Sequence, residues 1–445
     1  MTQSYKYLHF IKYLHFHRWD VKAYAFQHKA FDNAVLLRDI LTPYDIPLAK
    51  NEMLNNKWSI IAKINFSGKL FLRDPEGTKT FKGNVHKVDG ETLIYSKINV
   101  RHGCVYYHPK GAIPFGVSSE YPAYKINQER VNGNFLVLLL QSQYFKDALS
   151  AGTSGISKAR VKPSVFLDIQ IPLPSLEEQN KIVAAYNTTI TQADYYAQQA
   201  GDINDQIETY LKETLGIEHN NTSSRKNTIG KFIWFVPLKN ITRWDVYNSQ
   251  DSNYSGTYDY LSLRDLLISS PKYGAGYKAE KKQRDVRYIR ITDINEDGSL
   301  NDDFASVAKY DNQYLLKQND FLIARTGNTV GKTFLYDESL GKAIYAGYLI
   351  KFELDTSKVN PQYLLAYTKS SVYKTWIKNN MRVSAQPNIN SRQYEESPII
   401  LPPLDIQNEI VDNISALRAE QKNLQQQASD LRQQSQQQFE QTIFN

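Results

Sequence analysis

Cysteine is almost absent from this chain of 445 residues, where Cys104 stands alone. An internal disulfide and a cysteine-built zinc site are therefore excluded, and nothing points to an oxidising compartment. Long apolar runs are missing too. The longest, Phe135 to Leu140, is far too short to span a bilayer. The N-terminal MTQSYKYLHFIKYLHFHRWD is broken by Lys6, Lys12 and several histidines, so it lacks the apolar core of a signal peptide. These absences predict a soluble, cytoplasmic protein. No glycine-rich cofactor signature follows a convincing strand, so the chain offers no site for S-adenosylmethionine or ATP.

The remaining composition is ordinary for a globular protein, with 41% hydrophobic and 22% charged residues. The length suggests two to four domains. Tyrosine is abundant at 31, which suits surfaces that stack on flat partners. The formal net charge of +7 is an electrostatic footprint for a polyanion, though a weak one alone.

The chain repeats itself at a period of about 225 to 230 residues, the first thing to seek in a sequence of this length. Arg18-Trp19-Asp20-Val21 recurs as Arg243-Trp244-Asp245-Val246, and Leu37-Arg38-Asp39-Ile40-Leu41 as Leu263-Arg264-Asp265-Leu266-Leu267. Val131-Asn132-Gly133-Asn134-Phe135-Leu136 recurs as Val359-Asn360-Pro361-Gln362-Tyr363-Leu364. The strongest match pairs Pro174-Ser175-Leu176-Glu177-Glu178-Gln179-Asn180 with Pro402-Pro403-Leu404-Asp405-Ile406-Gln407-Asn408. Four matches in register mean a duplication.

Each copy begins with short β-rich runs, such as Trp58–Ile64 and Asp320–Ala324, set among Gly, Asn and Asp turns. The reading is a compact α+β domain. From the proline–leucine signal onward, about 40 residues rich in Gln, Glu, Ala and Leu contain no further proline and predict a long helix. Ile410, Leu417, Leu424 and Leu431 recur every seven residues, with Ile414 and Ala428 between them. Ile182, Tyr186, Ala193, Ala200, Ile203 and Ile207 form a similar seam. A heptad wants a partner helix, so the two helices are expected to pair antiparallel. The alternative is that each caps its own domain. The predicted organisation is a domain over 1–170, a helix over 171–216, a linker over 217–231, a second domain over 232–398 and a helix over 399–445.

Two apparent motifs lose their force in the duplicated copy. Gly327-Asn328-Thr329-Val330-Gly331-Lys332-Thr333 has three residues between its glycines where a phosphate-binding loop needs four. Its counterpart around Lys97–Cys104 lacks the lysine, so a strand–turn–strand is expected. Asn360-Pro361-Gln362-Tyr363 resembles a methyltransferase loop, but its counterpart Asn132-Gly133-Asn134-Phe135 does not; both are read as helix starts capped by asparagine. His15 and His17 lack metal-ligating companions. Asp293, Glu296, Asp297, Asp302 and Asp303 are read as a solvated turn.

Nucleic-acid-binding side chains are expected in three regions. Lys272, Lys278, Lys281, Lys282, Arg284 and Arg290 lie in one loop with Tyr273 and Tyr277 interleaved. Lysines can neutralise phosphates, whereas arginine and amide groups can pair with base edges. A second region precedes each long helix: Thr153, Ser154, Ser157, Lys158 and Arg160 in the first copy, and Ser384, Gln386, Asn388, Asn390 and Arg392 in the second. A third comprises Lys97, Asn99, Arg101 and His102, matched by Arg325, Thr326, Asn328 and Lys332. No catalytic or metal-ligating residue is expected.

Ile171–Gln179 and its copy ending Pro402–Gln407 resemble the signature that opens the long helices of type I restriction–modification specificity subunits. Gly152–Ser157 is similar to the segment that family places just before it. Arg290–Ile294, Asp320–Gly327 and Gly331–Thr333 resemble its target recognition domain. The resemblance implies two globular recognition domains separated by an antiparallel pair of long coiled-coil helices. Each domain would read half of a split, asymmetric site in double-stranded DNA, with the helices fixing the gap. Two methyltransferase subunits would dock on the helices and restriction–translocase subunits would join them. S-adenosylmethionine, ATP and Mg would then reside on those partners, and this chain would be non-catalytic. A bifunctional enzyme that cuts on both sides of its site is an alternative partner. A free-standing DNA methyltransferase or nuclease and a coiled-coil assembly protein without DNA function are the other classes.

Overall fold

A computed structural model of the protein describes residues 31, 33–151, 160–219, 254–255, 257–381 and 387–444. The Arg-Trp-Asp-Val pair, His15, His17 and nearly all of the expected linker lie outside those residues. The chain divides into one unit of residues 1–196 with 426–445, and another of residues 197–425.

Each unit is built on a four-stranded antiparallel sheet. In the first, the order is Leu41–Pro43, Ala123–Ile126, Thr92–Tyr95 and Val105–His108. In the second it is Lys272–Tyr273, Leu349–Glu353, Asp320–Ala324 and Thr333–Leu335. The central strands Thr-Leu-Ile-Tyr and Asp-Phe-Leu-Ile-Ala are buried at every position. Such strands read as continuous apolar runs because both sheet faces are covered. Alternate side chains point to opposite faces. Leu93 and Tyr95 pack with Phe135, Leu139 and Phe166, whereas Ile94 joins Val88, Phe115 and Val117. In the second unit Phe321 and Ile323 pack with Tyr363, Tyr367 and Tyr394, whereas Leu322 joins Ile289, Phe334 and Tyr345.

The helices over the sheet start where the asparagines predict. The Asn132 side chain accepts hydrogen bonds from the amides of Asn134 and Phe135 before Gly133–Gln141, and Asn360 accepts from Gln362 before Pro361–Tyr367. The Leu-Arg-Asp repeat forms matching 3₁₀ turns over Leu37–Asp39 and Leu263–Leu266, each closed by its aspartate onto the amide of residue 36 or 262. The units differ at their far edges. His86–Val88 pairs antiparallel with Phe115–Val117, but Arg287–Ile289 pairs parallel with Ala343–Tyr345.

The long helices cover Leu176–Leu215 and Leu404–Phe444, 40 and 41 residues. At 1.5 Å per residue each is about 60 Å long. They run antiparallel within each unit. In the first, Tyr186 meets Phe439 edge-on and Asp194 pairs with Arg432 at 2.7 Å. In the second, Arg418 donates to Asn204 and Asn413 to Tyr210, at 2.7 and 2.8 Å. Ile182, Tyr186, Ala193, Ile203, Ile207, Ile410 and Ile414 lie in buried or half-buried seams. Leu417, Leu424 and Leu431 are half-buried. The more enclosed heptad line is Gln407, Ile414, Gln421, Ala428 and Ser435, so the seam is partly polar and built on small residues. The Gln421 amide donates to the Ala200 carbonyl at 2.7 Å. A buried polar contact of this kind favours one register over its neighbours.

The signature glutamine has a structural task. In the first unit Gln179 is fully buried; it accepts from the Asn132 amide and donates to the carbonyls of Arg130 and Pro174, each at 2.9 Å. Gln407 repeats all three contacts with Asn360, Lys358 and Pro402, at 2.7, 3.1 and 2.8 Å. Asn180 and Asn408 add side-chain bonds from Asn132 and Asn360. The first turn of each long helix is thus fastened to the helix that covers its own sheet.

Candidate nucleic-acid interface

After the central strand, the chain turns at Lys97 in the first unit and at Arg325 in the second. Two backbone hydrogen bonds hold each turn. The Lys97 amide donates to the Glu120 carbonyl, and the Lys97 carbonyl accepts from Val161. Arg325 does the same with Tyr348 and Ile389. Three segments distant in sequence therefore meet at one point. The residues presented there are Lys97, Glu120 and Arg160 in the first unit, and Arg325, Tyr348 and Asn388 in the second. The backbone frame is shared and the side chains are not.

In the second unit the Arg325 guanidinium lies 5.1 Å from the Tyr273 ring centre and 6.0 Å from that of Tyr348. Both rings are exposed, at 42% and 54%. Tyr273 Oη donates to Ser391 Oγ at 3.1 Å and accepts from the Ser391 amide. Thr326 is buried and forms a backbone bridge with Asn388, while Asn390 caps the short helix Ser391–Glu395. Asn328 and Arg392 are exposed nearby. Three of the expected stretches thus converge. Among the described residues, Arg325 Nε and Asn388 Oδ1 have no hydrogen-bond partner. In the first unit the same frame carries an Arg160–Glu120 ion pair at 3.1 Å. Lys97 and Asn99 are half-buried there, and His102 is exposed beside the Phe66 ring at 5.3 Å. Arg101 is half-buried in the same turn.

Other expected residues are placed differently. Tyr277 packs against Tyr288 and Tyr314, and its hydroxyl accepts from the Asp311 amide. Arg284 pairs with Glu280 at 2.7 Å and Lys272 with Glu353 at 3.3 Å. Lys278, Lys281 and Lys282 are exposed. Lys332 pairs with Glu296 at 3.0 Å and donates to the Ile294 carbonyl. The turn read as solvated has a buried member: Asp293 is 1% exposed and holds Arg290 at 2.7 Å, with Asp303 on the other side at 2.8 Å. The Asp293 hydrogen bonds push the guanidinium further toward its charged form. Arg290 therefore organises its own loop. Thr153, Ser154, Ser157, Lys158, Ser384 and Gln386 lie outside the described residues.

The glycine-rich stretch is the expected strand–turn–strand. A 3₁₀ turn over Gly327–Thr329 joins two strands of the sheet. Gly331 has φ +85°, its amide donates to Ala324, and a Cβ there would meet Ile377 at 3.0 Å. Sequence reasoning missed Glu120 and Tyr348, because only strand pairing brings them to the turn. The equal sequence spacing of the two pairs, Lys97 to Glu120 and Arg325 to Tyr348, was the available signal. Among the described residues no group of three or more His, Cys, Asp or Glu could hold a metal, and no helix is long and apolar enough to cross a membrane.

Comparison with known proteins places this geometry in a family. Residues 35–200 and 257–430 each match the model of the type I restriction modification DNA specificity domain. The StySPI specificity subunit of Salmonella potsdam is 20% identical over 67% of this chain and 61% of its own length. The EcoKI specificity subunit of Escherichia coli K12 is 22% identical over 68% of this chain and 62% of its own. The chain thus spans about three fifths of the length of these curated relatives. A chain solved in a study of complex assembly and conformational transition of the type I R-M system shares the fold. Its TM-score is 0.58 at 15% identity, covering 92% of this chain and 97% of that one.

Proposed function

We propose, because this chain belongs to the type I restriction modification DNA specificity family, that it is a non-catalytic subunit reading a split, asymmetric site in double-stranded DNA. One unit reads each half-site, and the long helices dock two methyltransferase subunits and space the two halves. Restriction–translocase subunits join that complex in the cytoplasm. S-adenosylmethionine, ATP and Mg belong to those partners. The observation that carries this reading is the shared frame with unlike side chains. Lys97, Glu120 and Arg160 offer a different set of donors and acceptors from Arg325, Tyr348 and Asn388, as two different half-sites require.

Two expected outcomes test it. The purified chain should select a two-part motif from a random duplex library. Its affinity should fall at least about tenfold between ~50 and ~200 mM salt as condensed counterions are no longer released to advantage. Exchanging residues 1–165 for the corresponding region of a relative should change one half of the motif, in the selection and in the host methylation map, and leave the other half intact. An unchanged motif after that exchange would sink the assignment of one half-site to each unit.

A further inference from the structure

The first unit carries a basic, aromatic hairpin that the second does not repeat among the described residues. Strands Ile61–Ile64 and Leu70–Leu72 pair antiparallel. Between Lys57 and Lys87 lie seven basic residues (Lys57, Lys63, Lys69, Arg73, Lys79, Lys82, Lys87) against Asp74 and Glu76. Aromatic rings are interleaved with them. Lys63 Nζ lies 5.2 Å from the Phe71 ring centre, the Arg73 guanidinium 5.2 Å from Phe81, and Lys87 Nζ 5.1 Å from Trp58.

Phe66 stands at the tip and is 65% exposed. An exposed phenyl ring on a floppy loop would be unremarkable, but this tip is held firmly. Asn65 Oδ1 accepts from the Ser67 amide, the Ser67 hydroxyl and the Lys69 amide at 3.2, 2.9 and 2.7 Å. Gly68, at φ +78°, lies so close to Gln141 and the Val105 carbonyl that a Cβ would collide with both. A Cβ on Gly103 would sit 3.0 Å from the Phe66 carbonyl. The hairpin tip is therefore seated against the turn that carries Arg101 and His102. The Phe66 ring is presented to solvent beside His102, on a backbone with little further entropy to lose on binding.

We propose that Phe66 is a wedge that inserts at a base step of the half-site read by the first unit. This rests on the DNA-reading function above. Bases within a duplex stack on one another, so an apolar ring reaches a base face only by opening a step. Proteins that do so set an apolar side chain among cations that hold the flanking phosphates. Lys63 and Lys69 on the hairpin and Lys97 on the turn are positioned for that second task. The second unit offers Arg325 between Tyr273 and Tyr348 instead, so the distortion is assigned to one half-site only.

The test uses the full chain and the duplex it selects from a random library. Fluorescent 2-aminopurine is placed singly along each half-site. The wild-type chain should brighten one position in one half-site, reporting an unstacked step. Phe66→Ala should abolish that signal and weaken binding about tenfold with an unchanged salt slope, because stacking is lost and no phosphate contact is. Phe66→Trp should restore both. Lys63→Ala should leave the signal in place and lower the salt slope by about 1. Equal binding and undiminished fluorescence in Phe66→Ala would overturn the wedge while leaving specific, salt-dependent recognition standing. Absence of salt-dependent binding by the wild-type chain would overturn both.

Discussion

Gln407→Ala should lower the unfolding free energy by about 3–4 kcal/mol. The buried wild-type amide satisfies three backbone groups at once: the part-buried Asn360 N–H and Lys358 carbonyl and the buried Pro402 carbonyl. Truncation removes all three partners without removing the groups they served. A buried donor left unsatisfied costs about 1–3 kcal/mol, and carbonyls cost less because each has a second lone pair. Urea denaturation followed by circular dichroism measures the loss as a lower midpoint at unchanged slope. Gln407→Glu should fall in the same range, because it keeps an acceptor for Asn360 but loses both donors and buries a charge. Gln179→Ala should do the same in the first unit, where the three bonds are repeated. A loss below about 1 kcal/mol in both variants would show that the glutamine is not what fastens helix to sheet.

That glutamine also shows why the fold was legible in the sequence. Residues whose work is done on the backbone recur in the second copy: Gln179 as Gln407, Asn132 as Asn360, Asp39 as Asp265. Such contacts do not depend on the exposed side chains, so divergence of the surface leaves them unchanged. The long helices were readable from their heptads, although Gln421 and Ser435 in the enclosed line do not follow the apolar pattern. The site was only half legible. Lys97 and Arg325 stand out as basic residues in turns, but Glu120 and Tyr348 meet them through strand pairing. Tyr277 and Arg290 stand out by composition, but their internal partners, the Asp311 amide and the Asp293 carboxylate, are not legible in the sequence. Asp293 was read as solvated because a cluster of acidic residues in a turn usually is. A buried ion pair three residues apart gives no signature distinct from a solvated one.

The largest departure from pattern in the second sheet leads to the remaining prediction. Lys351 points from a central strand into the protein and is 4% exposed, with Asp320 at 3.2 Å and Glu353 at 2.8 Å. Ser269 and Lys272 also hold Glu353, at 2.6 and 3.3 Å. The hydrogen bond from Lys351, helped by Ser269, draws the Glu353 carboxyl down to about 2. Burial pushes Asp320 up despite the same ammonium, because Lys351 is shared and Asp320 is the deeper carboxylate. The signs therefore oppose. Glu353 contributes stability above its unfolded value, lost as pH falls toward 2, whereas Asp320 costs stability as pH rises through its raised value. Lys351→Ala removes the compensating charge and should cost about 3–5 kcal/mol at neutral pH. The variant should regain part of that loss on mild acidification, as the unpaired Asp320 takes up a proton.

The first unit supplies the control. At the same places in its sheet register it has Thr92 opposite Lys125 and Ala123 opposite Ile94, where the second has Asp320 opposite Glu353 and Lys351 opposite Leu322. The same fold is thus built without the buried pair. Asp320→Thr with Lys351→Ala should recover most of the stability lost by Lys351→Ala alone, since a buried ion pair replaced as a unit costs far less than one broken. Urea denaturation of the two single variants and the double variant gives the coupling directly. Additive losses would mean that Asp320 and Lys351 do not compensate one another. A double variant close to wild type would mean that the sheet tolerates the pair rather than depends on it, and that its side chains are free to differ between units as those at the Lys97 and Arg325 turns already do.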